Sequence, residues 1–277
     1  MRRNGVKDPA SSLNFTFFDS TSEFADVCAG PKVKPHAVRS GCDDWAGGTV
    51  DAALAFARHG DMEYVSEAER LVEKIDSELD TEGMRPMWTP AVVGSFPLVP
   101  AFLAGTPESM IARTDVPDAR GDLDLWVEMG CSANVKQRDM LRRGVCVLAA
   151  AMALSRVRNV RIVCFTAFKY GNMAIPLRSP MDISEACGMI TQTSVTRRLM
   201  YGYSNSIQDS SIPWAEWGVK SHDAECYRRV LVKYAEMPPD AELVTMQRLG
   251  NWGEMDDAAL VDTINRMLRR VAGKEEA

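Results

Sequence analysis

The chain has only three histidines, and its seven cysteines, Cys28, Cys42, Cys131, Cys146, Cys164, Cys187 and Cys226, are scattered singly with no Cys-x-x-Cys pair. That pattern argues against a zinc site, which needs clustered thiolates and imidazoles at short spacing. It fits reduced thiols buried as small hydrophobes in a cytosolic compartment. No phosphate-cradling glycine loop with its lysine is present, and no Gly-x-Gly-x-x-Gly follows a strand, so nucleotide-driven chemistry has no support and no cofactor is expected. No apolar run approaches the roughly 20 residues that span a bilayer, so no membrane partner is expected. The opening MRRNGVKDPASSLNF is basic but lacks the apolar core of a secretory signal, which points to the cytoplasm. A net charge of −6 argues against coating duplex nucleic acid by charge alone.

What is present is ordinary globular composition, 46% hydrophobic and 25% charged over 277 residues, enough for one large domain or two small ones. Short apolar alternation at Leu13, Phe15 and Phe17 predicts a strand, followed by an irregular, extended arm through GPKVKP. Thr49 is placed to cap an alanine-rich helix that ends at His59-Gly60. A second helix is predicted from Met62 to Leu79, with Val65, Ala68, Val72, Ile75 and Leu79 along one stripe. Five X-Pro bonds between Met84 and Met110 exclude a long helix there. The apolar content of that stretch (Val92, Val93, Phe96, Leu98, Val99, Phe102, Leu103) predicts a connector that wraps around and packs on the body.

The second half changes rhythm. Leu123 to Met129 reads as a buried strand, Lys136 to Ser155 as a helix and Val160 to Phe165 as another strand. That order makes a βαβ unit with parallel strands. A helix is predicted from Ile183 to Tyr203, opened by Asp182 with Glu185 three residues on, as in a capping box. Further on, Ala224 to Tyr234 with Asp223 ahead of it predicts a helix, Glu242 to Leu249 a strand and Asp256 to Val271 a terminal helix. The expected fold class is α/β, three-layered, with a mainly parallel central sheet. Residues 1–118 supply an N-terminal arm, helices and the proline-rich segment, and residues 119–277 form the α/β core, the whole making one compact unit.

The stretch LWVEMGCSAN, residues 125–134, delivers an acid and a serine to the mouth of the long helix. A strand ending this way, followed by an amphipathic helix and a parallel strand, resembles the start of von Willebrand A-like domains. The resemblance aligns Glu128, Gly130 and Ser132 with the Asp-x-Ser-x-Ser that helps hold Mg²⁺ in those domains. With Gly130 in place of one hydroxyl the donor set is incomplete, and no metal is expected. Gly48-Thr49 followed by Ala52-Ala53-Leu54 superficially matches the later threonine loop of such domains, but it precedes the strand and would need a rearranged chain order. The chain is also similar to a family of uncharacterised phage and bacterial proteins, a domain of unknown function with a von Willebrand A-like core. The marks are Trp45-Ala46-Gly47-Gly48 before an Ala-Leu helix, Val99-Pro100-Ala101-Phe102-Leu103-Ala104-Gly105 with Pro107, Glu108 and Met110, GCSANV with Arg142-Arg143-Gly144, and Arg197-Arg198-Leu199. The resemblance imports no activity.

Three functional readings follow. The first is a non-enzymatic phage protein in the host cytoplasm, a protein-binding or scaffold module whose binding residues are Glu128, Ser132, Asn134 and Arg138, with an as yet unidentified protein partner. Free amides at the helix start would attract an anion, and the bland alternative has Ser132 or Asn134 simply capping the helix. The second is a single-stranded nucleic-acid-binding cofactor of phage transcription or replication. Arg197, Arg198, Tyr201, Tyr203 and Trp214 would form its stacking and charged track, although Leu199 and Tyr203 at helical spacing equally suit a core stripe. The third is a serine hydrolase, because Gly130-Cys131-Ser132-Ala133-Asn134 approximates Gly-x-Ser-x-Gly with His222 as the following base.

Overall fold

A computed structural model describes residues 15–33, 43–75, 84–117, 122–131, 135–156, 158–166, 172–207, 228–229, 231–233, 235–244 and 256–271. Its elements run β1 (Phe15–Phe17), α1 (Thr21–Ala29), α2 (Asp43–Ala46), α3 (Val50–His59), α4 (Val65–Val72), β2 (Met84–Ala91), β3 (Phe96–Pro97), α5 (Val99–Leu103) and β4 (Met110–Pro117). They continue with β5 (Leu123–Glu128), α6 (Gln137–Ser155), β6 (Val160–Thr166), β7 (Asn172–Pro176), α7 (Ile183–Thr191), a π-helical turn (Val195–Met200), α8 (Tyr201–Ile207), β8 (Glu242–Val244) and α9 (Asp257–Val271).

The main sheet has the order β1-β7-β6-β5-β8. β5 lies parallel to β6, with Leu123 opposite Val160 and Glu128 opposite Phe165, and parallel to β8 on its other side. β7 turns back antiparallel to β6, and β1 runs parallel to β7 at the edge. The fold is therefore mixed α/β on a mostly parallel five-stranded sheet, and the predicted βαβ unit is present. Strand alternation decides the two faces. Leu123, Leu125 and Val127 of β5 and Met129 just beyond it, with Val160, Ile162 and Cys164 of β6, face the helices in one large core. Trp126, Phe165, Ala174 and Leu243 face the other way and are covered by Leu231, Ala235, Met237 and Ala241.

α6 is the central helix. Its AAAMAL run has high helix propensity, and Val145, Leu148 and Leu154 bury against the sheet and its neighbours. Each such side chain contributes about 1.5–3 kcal/mol when fully buried. Arg142 ties α6 to Glu67 of α4 at 2.9 Å. At the far end, Asp257 of α9 accepts from Arg70 and Lys74, which hold its carboxyl down at about 2.

Thr49 caps α3 through Ala52 N at 3.2 Å, and Gly60 ends it at φ 73°, as the sequence predicts. Asp182 caps α7 through Glu185 N at 3.1 Å. The reciprocal half of the capping box is missing, because Glu185 accepts instead from Thr21 Oγ1 at 2.6 Å and Arg178 N at 2.7 Å.

Four expectations need correction. The extended arm after β1 contains helix α1, whose amphipathic face puts Phe24, Ala25 and Cys28 in the core. Of the helix expected over 62–79, the described residues are helical over Val65–Val72 and leave the helix at 73–75, and residues 76–79 lie outside the described residues. The single helix expected from Ile183 to Tyr203 breaks at Gln192, whose side chain reaches Asp61, and restarts through the π turn. The proline-rich stretch does not wrap. It forms a separate three-stranded antiparallel sheet, β2-β4-β3, at whose tip Val92, Val93, Phe96, Val99, Phe102 and Leu103 stand in solvent. Of the predicted helix over 224–234, residues 228–229 and 231–233 are helical, and of the predicted strand over 242–249, β8 covers Glu242–Val244; the rest of both lies outside the described residues.

Candidate functional site

The region of interest lies where β5 ends and α6 begins. Glu128 closes β5 and is buried, and the backbone continues with Met129 N donating to Phe165 O at 2.7 Å. Beyond it, Cys131 N donates to the Tyr201 hydroxyl at 3.2 Å, while that hydroxyl donates to the Cys131 carbonyl. The Cys131 thiol also lies 3.3 Å from the Tyr201 oxygen and 3.4 Å from Met140 Sδ. On the far side of the turn, Arg197 donates to the carbonyl of Val135 and, with its other terminal nitrogen, to the carbonyl of Trp45. Its guanidinium also stacks 4.3 Å from the Trp45 ring centroid.

Tyr201 and Arg197 thus hold the chain at both flanks of Ser132-Ala133-Asn134, and both come from one short piece of helix. The widened π turn over Val195–Met200 is the device that lets them do so. Such turns are rare and recur at functional sites. Arg198, next along, donates to Gly48 O at 3.0 Å and to the Asp43 carboxylate. The segment from Trp45 to Gly48 is pinned against this turn. A Cβ at Gly47 would meet Thr193 Cβ at 2.9 Å and the Gln137 side chain at 3.1 Å. The Gly-Gly-Thr loop therefore does reach the mouth of α6, although it precedes β5 in the chain. Thr49 uses its hydroxyl there as a helix cap.

Beneath the rim sit Asp139 and Arg143, both buried. Burial works against the Arg143 charge, and the Glu128 carboxylate favours it. Arg143 also reaches Val244 O of β8 at 3.4 Å. The buried acid Asp139 sits in the first turn of α6, where the helix dipole favours negative charge. An anion docking at the same end would meet that charge. The helix starts at Gln137 with Lys136 at the cap position and no side-chain cap, so neither Ser132 nor Asn134 is its N-cap residue.

Of the three positions that would carry donors for a divalent ion, Glu128 is buried beside Arg143 and Gly130 offers no side-chain oxygen. The third, Ser132, lies outside the described residues. These residues do not fit a Mg²⁺ site. Among the described residues no group of three or more His, Cys, Asp and Glu could hold a metal.

The remaining sequence candidates separate clearly. Arg138 is exposed on the first turn of α6. Arg197, Arg198, Tyr201 and Tyr203 are buried, and Tyr203 donates to Thr16 Oγ1 at 3.0 Å and packs edge-on to Phe18. They belong to the core and the clamp, so they do not present a surface track on which bases could stack. Asn134, Trp214, His222 and Asp223 lie outside the described residues. Sequence reasoning gave Met140 no role and used Trp45 and Arg143 only as marks of the family resemblance, without placing them at the site. The run Gln-Thr-Ser-Val-Thr before Arg197-Arg198 was the available hint, since hydroxyl residues compete with regular helix bonding.

Cys131 is not an activated thiol. Burial pushes it up, and the hydrogen bond from Tyr201 and the charge of Arg197 only partly offset this. Cys28, Cys146 and Cys164 are pushed up to about 12 by burial. A raised thiol is almost entirely protonated at neutral pH, and only the thiolate reacts. Iodoacetamide at pH 7.5 is therefore expected to leave these three unlabelled in the folded protein and to label them fully in urea. Cys131 is expected to react about tenfold or more slowly than a free thiol. Peptide mass spectrometry reads both outcomes, and rapid labelling of Cys131 would restore it as a nucleophile.

Among the described residues no helix is long and apolar enough to cross a membrane. No curated protein and no solved structure matches the chain. One family model matches residues 7–225, most of the length, and on that match the chain belongs to the family described as Domain of unknown function (DUF7192).

Proposed function

We propose that the protein is a non-enzymatic binding or scaffold module that presents the turn between β5 and α6 to a protein partner. The observation that carries this reading is the double clamp, in which Tyr201 fixes the Cys131 backbone and Arg197 fixes the Val135 backbone. Backbone already held at Cys131 and at Val135 loses little freedom of its own on binding, and ordering is one of the costs a recognition site must meet. The groups that do the anchoring are occupied with backbone atoms, so the arrangement favours presentation over proton transfer or nucleophilic attack. Exposed Arg138 beside the turn supplies a charge for choosing the partner.

The architecture behind the turn supports a von Willebrand A-like core without a complete metal site. β7-β6-β5-β8 is an open sheet with one antiparallel strand, and the turn sits at the carboxyl end of β5, where ligands gather in open α/β folds. The resemblance to phage proteins supports a partner met in the cytoplasm of an infected host.

The test is site-specific photo-crosslinking from position 138, with position 156 at the opposite end of α6 as control. A discrete protein adduct from position 138 and none from position 156 is the expected result. Equal crosslinking at both positions, or none at either, would remove the reading.

A further inference from the structure

We propose that the ribbon of residues 84–117 is a dimerisation arm, its tip docking through Val92, Val93, Phe96, Val99, Phe102 and Leu103 against the same surface of a second copy of this chain. The tip is a built shape. β2 pairs with β4 from Met84 opposite Pro117 to Ala91 opposite Met110, and β3 adds to the same strand with Phe96 opposite Ile111. Ser95 N and Leu98 N each donate at 2.8 Å, to Ile111 O and Ser109 O, and Thr106 Oγ1 donates to Ala101 O at 2.9 Å. Gly94 sits so close to β4 that a Cβ there would come within 2.3 Å of Ile111 O.

Yet no residue from 90 to 112 is buried. Val93 is 81% exposed, Leu103 79% and Phe102 65%. Small isolated sheets and five-residue helices do not hold their shape in water unaided. A regular tip with no buried side chain therefore needs cover that the described residues do not supply.

Charge and area choose the cover. Glu108 is the one charged residue between 90 and 112, in a protein of net charge −6. A phosphate backbone or an anionic membrane surface would find no cation there. An uncharged apolar patch is complementary to itself, which is what a twofold interface requires. The six side chains expose several hundred Å² per copy, close to the roughly 800 Å² that each partner buries in a standard interface. This exceeds the scattered apolar exposure that is ordinary on a monomer surface.

Sedimentation equilibrium of the full chain across about 1–100 µM is the measurement. The wild type is expected to show a monomer–dimer equilibrium, and F102D/L103D to weaken it by about 30-fold or more, the loss typical of a central apolar hot spot. Both side chains are exposed and away from the main core, so the cooperative thermal unfolding of the core should be kept. As an independent readout, Leu103→Cys treated with a short bis-maleimide should give a covalent dimer that the wild type does not. A wild type that stays monomeric throughout, or a dimer that survives F102D/L103D, overturns the proposal. Monomers that instead float with phosphatidylcholine vesicles, and stop doing so on F102D/L103D, would also overturn it in favour of a lipid surface.

Discussion

Replacing Arg197 with methionine is expected to destabilise the protein by about 3 kcal/mol, the scale reserved for broken buried networks. Arg197 is fully buried and serves three groups at once, the carbonyls of Trp45 and Val135 and the Trp45 ring. Methionine fills much of the volume but leaves two carbonyl oxygens without their donor. Each stranded polar group costs about 1–3 kcal/mol. Losing a desolvated cation–π contact adds about 2 kcal/mol. Relief from burying a charge works in the opposite direction, and the net stays near the figure given because buried guanidinium removal usually leaves more unsatisfied than it frees.

For a chain of this size that corresponds to a fall in Tm of roughly 6–12 °C. Lysine is expected to recover less than half, because one ammonium cannot span two carbonyls on different segments as a planar fork does. Arg198→Met should cost about 1 kcal/mol, since its acidic partner Asp43 is largely exposed and its ion pair is screened. Calorimetry with denaturant unfolding checks all three. If instead Arg197 faced bound nucleic acid, methionine would leave Tm unchanged and only weaken oligonucleotide affinity in a salt-dependent way.

Arg197 also shows why the site was only partly legible. An arginine doublet on an amphipathic helix is normally a solvated rim, because arginine is rarely buried without partners. Here the partners are carbonyls 152 and 62 positions away in sequence, and backbone acceptors leave no signature in residue identity. The π turn is equally silent. It shifts the register of Val195–Met200 by part of a turn, less than a hydrophobic pattern of six residues resolves. By contrast, β5, α6 and β6 were readable because their signals are long and agree with one another. Two continuous apolar runs bracket an alanine-rich helix of nineteen residues, and chain connectivity then dictates parallel pairing.

The proline-rich segment marks a different limit. Its apolar content implied packing on the body, which the structure does not show, because composition does not distinguish cover by the same chain from cover by another. The structure places Val92, Val93 and Leu103 in solvent, which turns an expected internal contact into a candidate interface. At the β5–α6 turn, the acid and the exposed arginine were named in advance. Cys131, Tyr201 and Met140 came together only through folding, since the 70 positions between Cys131 and Tyr201 hide their contact.

Gly144→Ala is expected to destabilise the protein by about 2 kcal/mol even though it improves a helix. Alanine in a helix interior is favoured over glycine by about 1 kcal/mol. A Cβ at position 144, however, would stand 2.5 Å from Ile190 O and 2.8 Å from Thr191 Cα, both backbone atoms of α7. No side-chain rotation relieves that, so α6 and α7 must separate, and overpacking of this kind costs about 1–3 kcal/mol before lost contacts are counted. The same device recurs one layer out. Gly188 of α7 leaves room for Phe56 O at 2.8 Å and for Gly60 at 3.0 Å, at the end of α3. Two glycines thus set the spacing of α6, α7 and α3, and the outer one lies against the C-terminal end of α3, whose N-terminal loop carries the Trp45 and Gly48 carbonyls that Arg197 and Arg198 hold. Gly144→Ala should therefore also loosen the turn after β5, measured as faster amide exchange at Cys131 and Val135. The control is Gly105→Ala, where φ is 68° and nothing lies within 4 Å of the added carbon, so only backbone strain of about 1 kcal/mol is expected and exchange at the turn is unchanged. Equal effects from the two alanines would mean that backbone strain, and not helix spacing, governs the loss at position 144.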